Sequence, residues 1–231
     1  MLDSLPLDNI SSFGADIDGI MSYIWWVTAG WLVAAELVLV YFLVKYRKKD
    51  GVRAAWAPAT GSKALMWVIV PVLAVTAFDM VIEHRSSVTW DKIKLTSEIP
   101  EHDVLVRITA RQFAWDFTYA GADGKLGTAD DFTSMTEFHV PKGKVVRFQL
   151  ESQDVLHSFW VPALRLKQDA VPGRFIPGWF DTSKVGQYEI ACAEICGASH
   201  TQMRAILVVE SAENFETWAQ IKAEQHALRV N

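Results

Sequence analysis

The sequence predicts a two-helix membrane hairpin followed by a small all-β sandwich or barrel closed by a C-terminal helix. Three observations carry this: two apolar runs flanking the densest basic stretch, a change near Trp90 to short β-prone runs between turn residues, and a final segment with helical periodicity. At 51% hydrophobic and 21% charged, the 231-residue chain is too apolar for an ordinary soluble domain and too charged to lie wholly in lipid. Its net charge of -5 argues against a nucleic-acid partner, because a phosphate backbone needs a basic footprint.

The first run, Ile20 to Val44, carries one charge, Glu36. It exceeds the roughly 20 residues a helix needs to cross a bilayer. The second, Ala64 to Val81, is interrupted by Pro71 and carries Asp79 near its end; neighbouring helices can satisfy the backbone groups that a proline frees. Between them lie Lys45, Arg47, Lys48, Lys49, Arg53 and Lys63, and no Lys or Arg precedes Lys45. The positive-inside rule places this loop in the cytoplasm or the mitochondrial matrix and both termini on the opposite side. The N-terminus bears Asp3, Asp8, Asp16 and Asp18 and lacks the basic start of a signal peptide, so the first span is expected to be retained. The expected division is tail and hairpin over 1–89, with spans about 20–44 and 64–81, and an exported domain over 90–231. Glu36, a carboxylate inside the bilayer, is a candidate for proton-related work, with a neutral or subunit-paired structural role as the alternative.

In the exported half, strands are expected at DVLVRITA, FAWDFTY, TEFHV, VVRFQLES, SFWVP, GWFDT, GQYEIAC and AILVVES, an antiparallel sandwich or barrel. The stretch Gly121 to Asp131 reads as a hairpin tip whose carboxylates could hold calcium, although their spacing misses the EF-hand pattern. The C-terminal helix is expected at about 211–226, with Ser211 as N-cap and Phe215, Trp218 and Ile221 on one face.

The chain's two cysteines fall within the stretch CAEICGASHTQM, Cys192 to Met203. Two thiols four apart on an exported loop could form a disulfide. Their company suggests otherwise: His200 follows Cys196 by four and Met203 by three more, and thiolate, imidazole and thioether are the soft ligands that select copper. Zinc fits less well, since a thioether serves it poorly and no CxxC pairs are present. A mononuclear blue-copper site uses one Cys, whereas two thiolates can bridge two copper ions. The second metal then needs another imidazole, and His157 at a strand end is preferred over His84, His102, His139 and His226. Covalent haem is not expected, because C-x-x-C-H is absent.

DVLHSFWVPALRLKQDAVPGR together with C-x3-C-x3-H-x2-M resembles subunit II of the haem-copper cytochrome c oxidases. The resemblance extends over nearly the whole chain and takes in the hairpin, Trp67 with Pro71, QFAWDF and the terminal helix. It implies a cupredoxin Greek-key sandwich/barrel holding the binuclear copper A centre. In it, Cys192 and Cys196 would bridge two coppers, and His157 and His200 would each bind one. Met203 and the Glu194 carbonyl would be weak ligands, and the Glu194 side chain would reach a magnesium shared with subunit I. Asp154 or Asp169 would orient a ligand or contact subunit I. The implied partners are oxidase subunits I and III, a cytochrome c or membrane-tethered cytochrome donor, a supercomplex in the latter case, and the lipid bilayer. The implied location is the bacterial inner membrane with the copper domain periplasmic, or the mitochondrial inner membrane facing the intermembrane space. Electrons would pass to haem in subunit I for dioxygen reduction coupled to proton pumping. The copper-A-bearing subunit of a nitric oxide reductase, and a non-redox copper carrier, are the alternatives.

The chain departs from the family pattern in two places. The family usually has a tryptophan, where electrons arrive from cytochrome c, at the position of Phe113; Trp115 is retained two residues on, and strand alternation would set it on the same face. Phe113 and Trp115 are therefore the docking candidates. Ala64 stands where many members carry a glutamate at a proton channel, so protons must be admitted otherwise. The exported half, with 20 acidic against 16 basic residues from Ile82 onward, suits a basic redox partner.

Overall fold

Both apolar runs are helical in the computed structural model, which describes residues 8–54, 56, 60–94 and 99–230: α1 spans Gly14–Lys45 and α2 Ser62–Lys94. Each exceeds the length that covers the bilayer's apolar layer, and each bears an apolar window suited to crossing a membrane. α2 runs 13 residues past the expected end at Val81, because VIEHRSSVTWDKIK contains neither Pro nor Gly to stop it. The chain divides into two compact units, one built on Asp18–Trp90 and the other on described residues of Asp3–Ile17 and Asp91–Asn231. In the first, Trp31 meets Phe78 edge-on at 6.4 Å and the Arg85 guanidinium lies over the Tyr23 ring at 5.2 Å.

Among its described residues the second unit contains ten strands: β1 (Val104–Arg111), β2 (Ala114–Tyr119), β3 (Phe132–Met135), β4 (Glu137–Pro141), β5 (Val145–Ser152), β6 (His157–Val161), β7 (Leu166–Ala170), β8 (Ile176–Asp181), β9 (Gly186–Cys192) and β10 (Arg204–Glu210). They form two five-stranded sheets, β3-β2-β1-β5-β8 and β4-β10-β9-β6-β7. The expected all-antiparallel arrangement is corrected, since β1 pairs parallel with β5 and β10 parallel with β4. β3 and β7 were not expected from sequence. Both are edge strands, which tolerate a polar face, and in LKQDA only Leu166 and Ala170 are buried.

Alternation supplies the core. β5 buries every second residue, and β2 turns Trp115, Phe117 and Tyr119 inward. Phe117 stacks on Phe138 across the two sheets with ring centroids 4.6 Å apart. The Tyr119 hydroxyl donates to the His139 carbonyl and accepts the His139 N–H, both at 2.8 Å, so β2 is tied to β4. The helix α3 (Ala212–Val230) starts at the expected cap, the Asn214 N–H donating to Ser211 Oγ at 3.2 Å. Phe215, Trp218, Ala219 and Ala223 pack on the core, whereas Ile221 is exposed. The contact face follows a four-residue step rather than the expected three-residue one.

The stretch before α1 was expected with the hairpin but packs on the sandwich. Ile10 and Phe13 are buried; the Ile10 N–H donates to the Ala163 carbonyl (2.9 Å), the Ser183 N–H to the Ile10 carbonyl (2.8 Å), and Phe13 meets Trp179 edge-on. At the acidic tip, Asp123, Asp130 and Asp131 accept the N–H groups of Lys125, Asp123 and Gly127 and so are already engaged by the loop's own donors.

Candidate metal centre

β6 pairs with β9 so that Phe159 lies opposite Cys192, and His157, two residues earlier on the same face of β6, is thereby brought beside the end of β9. From Cys192 the chain loops out and returns at Met203, whose carbonyl accepts the Cys192 N–H at 3.1 Å. Within the loop the His200 N–H donates to the Gly197 carbonyl (3.1 Å), and the short 3-10 turn His200–Gln202 follows. The Ala193 N–H donates to the Ser158 carbonyl at 3.0 Å, which joins the loop to the His157 strand.

These bonds gather the side chains. Cys192 Sγ lies 3.9 Å from His157 Nδ1, 3.9 Å from Cys196 Sγ and 3.2 Å from the Glu194 carbonyl oxygen. Cys196 Sγ lies 3.6 Å from His200 Nδ1 and 3.8 Å from Met203 Sδ. Both thiols are free, and their sulfurs are far beyond the roughly 2.05 Å of a disulfide. His157, Cys192 and Cys196 present ligand atoms within 4.8 Å of one another. Those three and Met203 are buried, His200 is half-buried, and Glu194 is exposed. Buried thiols, imidazoles, a thioether and a carbonyl form a donor set that fits copper by its softness. Burial, and then the neighbouring Cys192 thiol, push the Cys196 thiol up to about 11.

His157 is oriented from outside the cluster: its Nε2 donates to Asp154 Oδ1 at 2.8 Å, which leaves the Nδ1 lone pair facing the sulfurs. Burial opposes the charge on Asp154, but the Gln112 N–H, the His157 ring and the Val155 N–H hold its carboxyl below the usual range. Asp169 instead accepts the Ser158 hydroxyl at 2.7 Å.

All six residues named from sequence as metal ligands thus stand together. The docking candidates do not share a strand face. Phe113 is in the β1–β2 turn, half-buried against Gly197, while Trp115 is fully buried, edge-on to His157 (6.2 Å) and Phe159 (5.4 Å). Alternation failed as a guide because Phe113 precedes the strand. Trp115 offers no outer surface to a donor. Glu36 lies exposed on α1 in the helical unit, and Ala64 in the first turn of α2. His139 stacks on Trp218 at 4.2 Å and contacts Glu210 Oε1 at 2.8 Å, a packing role in place of metal binding. Sequence reasoning missed Gln112 and Gly197; the glycine directly after a cysteine was the available signal.

A family model described as "Cytochrome C oxidase subunit II, periplasmic domain" matches residues 122–212. The "Alternative cytochrome c oxidase subunit 2" of Bradyrhizobium diazoefficiens is 32% identical over 229 residues, covering 87% of this chain and 78% of that protein. The "Cytochrome c oxidase subunit 2" of Thermostichus vulcanus is 44% identical over 117 residues, covering 50% of this chain and 32% of that one. Among solved structures, the periplasmic domain of subunit II of cytochrome oxidase from Bradyrhizobium japonicum aligns with a TM-score of 0.50 at 27% identity, over 55% of this chain and 99% of that domain.

Proposed function

We propose, from the premise that this chain belongs to the cytochrome c oxidase subunit 2 family, that its β-sandwich holds a binuclear copper centre and relays single electrons to a partner oxidase subunit. One observation carries this: two free thiols, two imidazoles, a thioether and a main-chain carbonyl converge in one largely buried cluster. Cys192, Cys196, His157 and His200 would hold the metals, with Met203 and the Glu194 carbonyl as weaker donors. Copper bound there supplies one-electron exchange with little change in geometry.

The protein's own part is to hold and dry the site. β6 and β9 fix His157 and Cys192, the loop that follows β9 brings in the other donors, Asp154 sets the His157 tautomer, and Trp115 and Phe159 exclude water. The exposed Glu194 carboxylate is offered to a hard cation such as magnesium at the interface with subunit I. Two helices able to cross a membrane and the match to a periplasmic domain suit a membrane-anchored subunit. In this reading the basic loop is cytoplasmic, the sandwich faces the periplasm, and the donor is a cytochrome c or a membrane-tethered cytochrome.

The test is purification of the full chain within its native complex. Two coppers per chain, purple and near-infrared absorption and a multi-line copper resonance are expected. A Cys192–Cys196 disulfide with no uptake of two metals would overturn the reading. Cu(I) binding without a mixed-valence spectrum would favour a metal carrier.

A further inference from the structure

The strand that begins at His157 and the loop that carries Cys196 come from different parts of the chain, and a third segment is clipped between them. Gln112 sits in the β1–β2 turn; its main-chain N–H donates to Asp154 Oδ2 at 2.7 Å, and the other oxygen of that carboxylate accepts His157 Nε2 at 2.8 Å. The side-chain amide of the same residue donates from Nε2 to the carbonyl of Cys196. Gly197, next in the chain, is what lets the turn approach. A Cβ there would lie 2.8 Å from Gln112 Nε2 and 2.9 Å from Phe113 Cζ, and its φ of +141° favours glycine.

We propose that Gln112 is a positioning residue that joins the start of the His157 strand to the Cys196 loop, held through Asp154 to His157 by its main chain and to Cys196 by its side chain, so that the β1–β2 turn sets the spacing between the His157 imidazole and the Cys196 thiol. The inference rests on the copper reading for its ligand but not for its geometry. Two hydrogen bonds leave one residue, one to the hydrogen-bond partner of an imidazole and the other to the main-chain carbonyl of Cys196. Loss of the side-chain bond frees the Cys196 loop while Asp154 still orients His157. A carboxylate in its place would set a negative oxygen against the Cys196 carbonyl and push the loop away.

The experiment uses the full chain in its complex, with Gln112→Ala, Gln112→Glu and the shorter amide Gln112→Asn. In the copper-loaded protein, transfer of copper to a competing chelator is expected to accelerate roughly tenfold or more in Gln112→Ala, and further in Gln112→Glu. The copper hyperfine pattern should change with it, which a purely structural residue would not cause. In the metal-free, reduced protein, alkylation of Cys196 should speed up in the same order. Wild-type protein that binds copper, with variants unchanged in chelator rate, hyperfine pattern and alkylation, overturns the role of Gln112 and leaves the copper reading standing. Wild-type protein that takes up no copper, with variants that still open Cys196 to alkylation, overturns the copper reading and supports the strut. Gln112→Asn covers the case in which Gln112→Glu does not fold.

Discussion

At the scale of single residues, the site depends on atoms that are absent as much as on those present. Gly197 carries no Cβ where Gln112 and Phe113 close on it, and its φ of +141° suits few other residues. Gly197→Ala should therefore destabilise the folded protein by about 1–3 kcal/mol and loosen copper retention, read by thermal melting and metal content. Trp115 presents the reverse case, a fully buried indole whose Nε1 has no hydrogen-bond partner among the described residues. Trp115→Phe removes a donor whose desolvation costs about 1–3 kcal/mol, which offsets much of the lost packing. It should melt close to wild type and, on the proposed function, leave the KM for a cytochrome donor unchanged; a raised KM would show that Trp115 contacts that donor after all.

At the scale of elements, strand starts and helix ends are pinned by few contacts. Asp103 accepts the Val145 N–H (2.9 Å) and the Lys144 ammonium (2.9 Å), tying the start of β1 to that of β5, and these two contacts hold its carboxyl below the usual range. A carboxylate depressed on folding stabilises above its unfolded value and loses that contribution as pH falls through the folded one. Because the pair is solvent-exposed, Asp103→Ala should cost no more than about 1 kcal/mol at neutral pH, and the difference from wild type should shrink below about pH 4. A difference that persists at low pH would count against the pair. Helix α3 is held by Trp218, which lies between the Tyr119 and His139 rings. Trp218→Ala should release the helix first, seen as faster amide exchange in 212–230 before the sandwich opens.

At the scale of the whole molecule, the division into units does not follow the chain from end to end. The boundaries fall within α1 and within α2, and Ile10 and Phe13, before the first helix, complete the sandwich core. Phe13→Ala in the full chain should thus destabilise the β unit by about 3 kcal/mol or more, although it lies 91 residues before β1 begins at Val104. Calorimetry that shows the β transition unmoved would reject this. The surplus of acidic residues after Ile82 is small, so on the proposed function turnover with a basic cytochrome should fall only modestly as salt rises.

The sequence by itself determined the helical hairpin, eight of the strands, the cap of α3 and the donor spacing from Cys192 to Met203, because length, alternation and ligand spacing are properties of neighbours along the chain. Edge strands β3 and β7 escaped it, since half of an edge strand needs no apolar pattern. The parallel pairings, the burial of Trp115 and the return of residues 8–13 to the sandwich were decided only by tertiary structure. So was the link from Gln112 to both ligand loops. Each joins residues distant in sequence, and which partners meet is set by how the two sheets close over one core, a choice that no local pattern encodes.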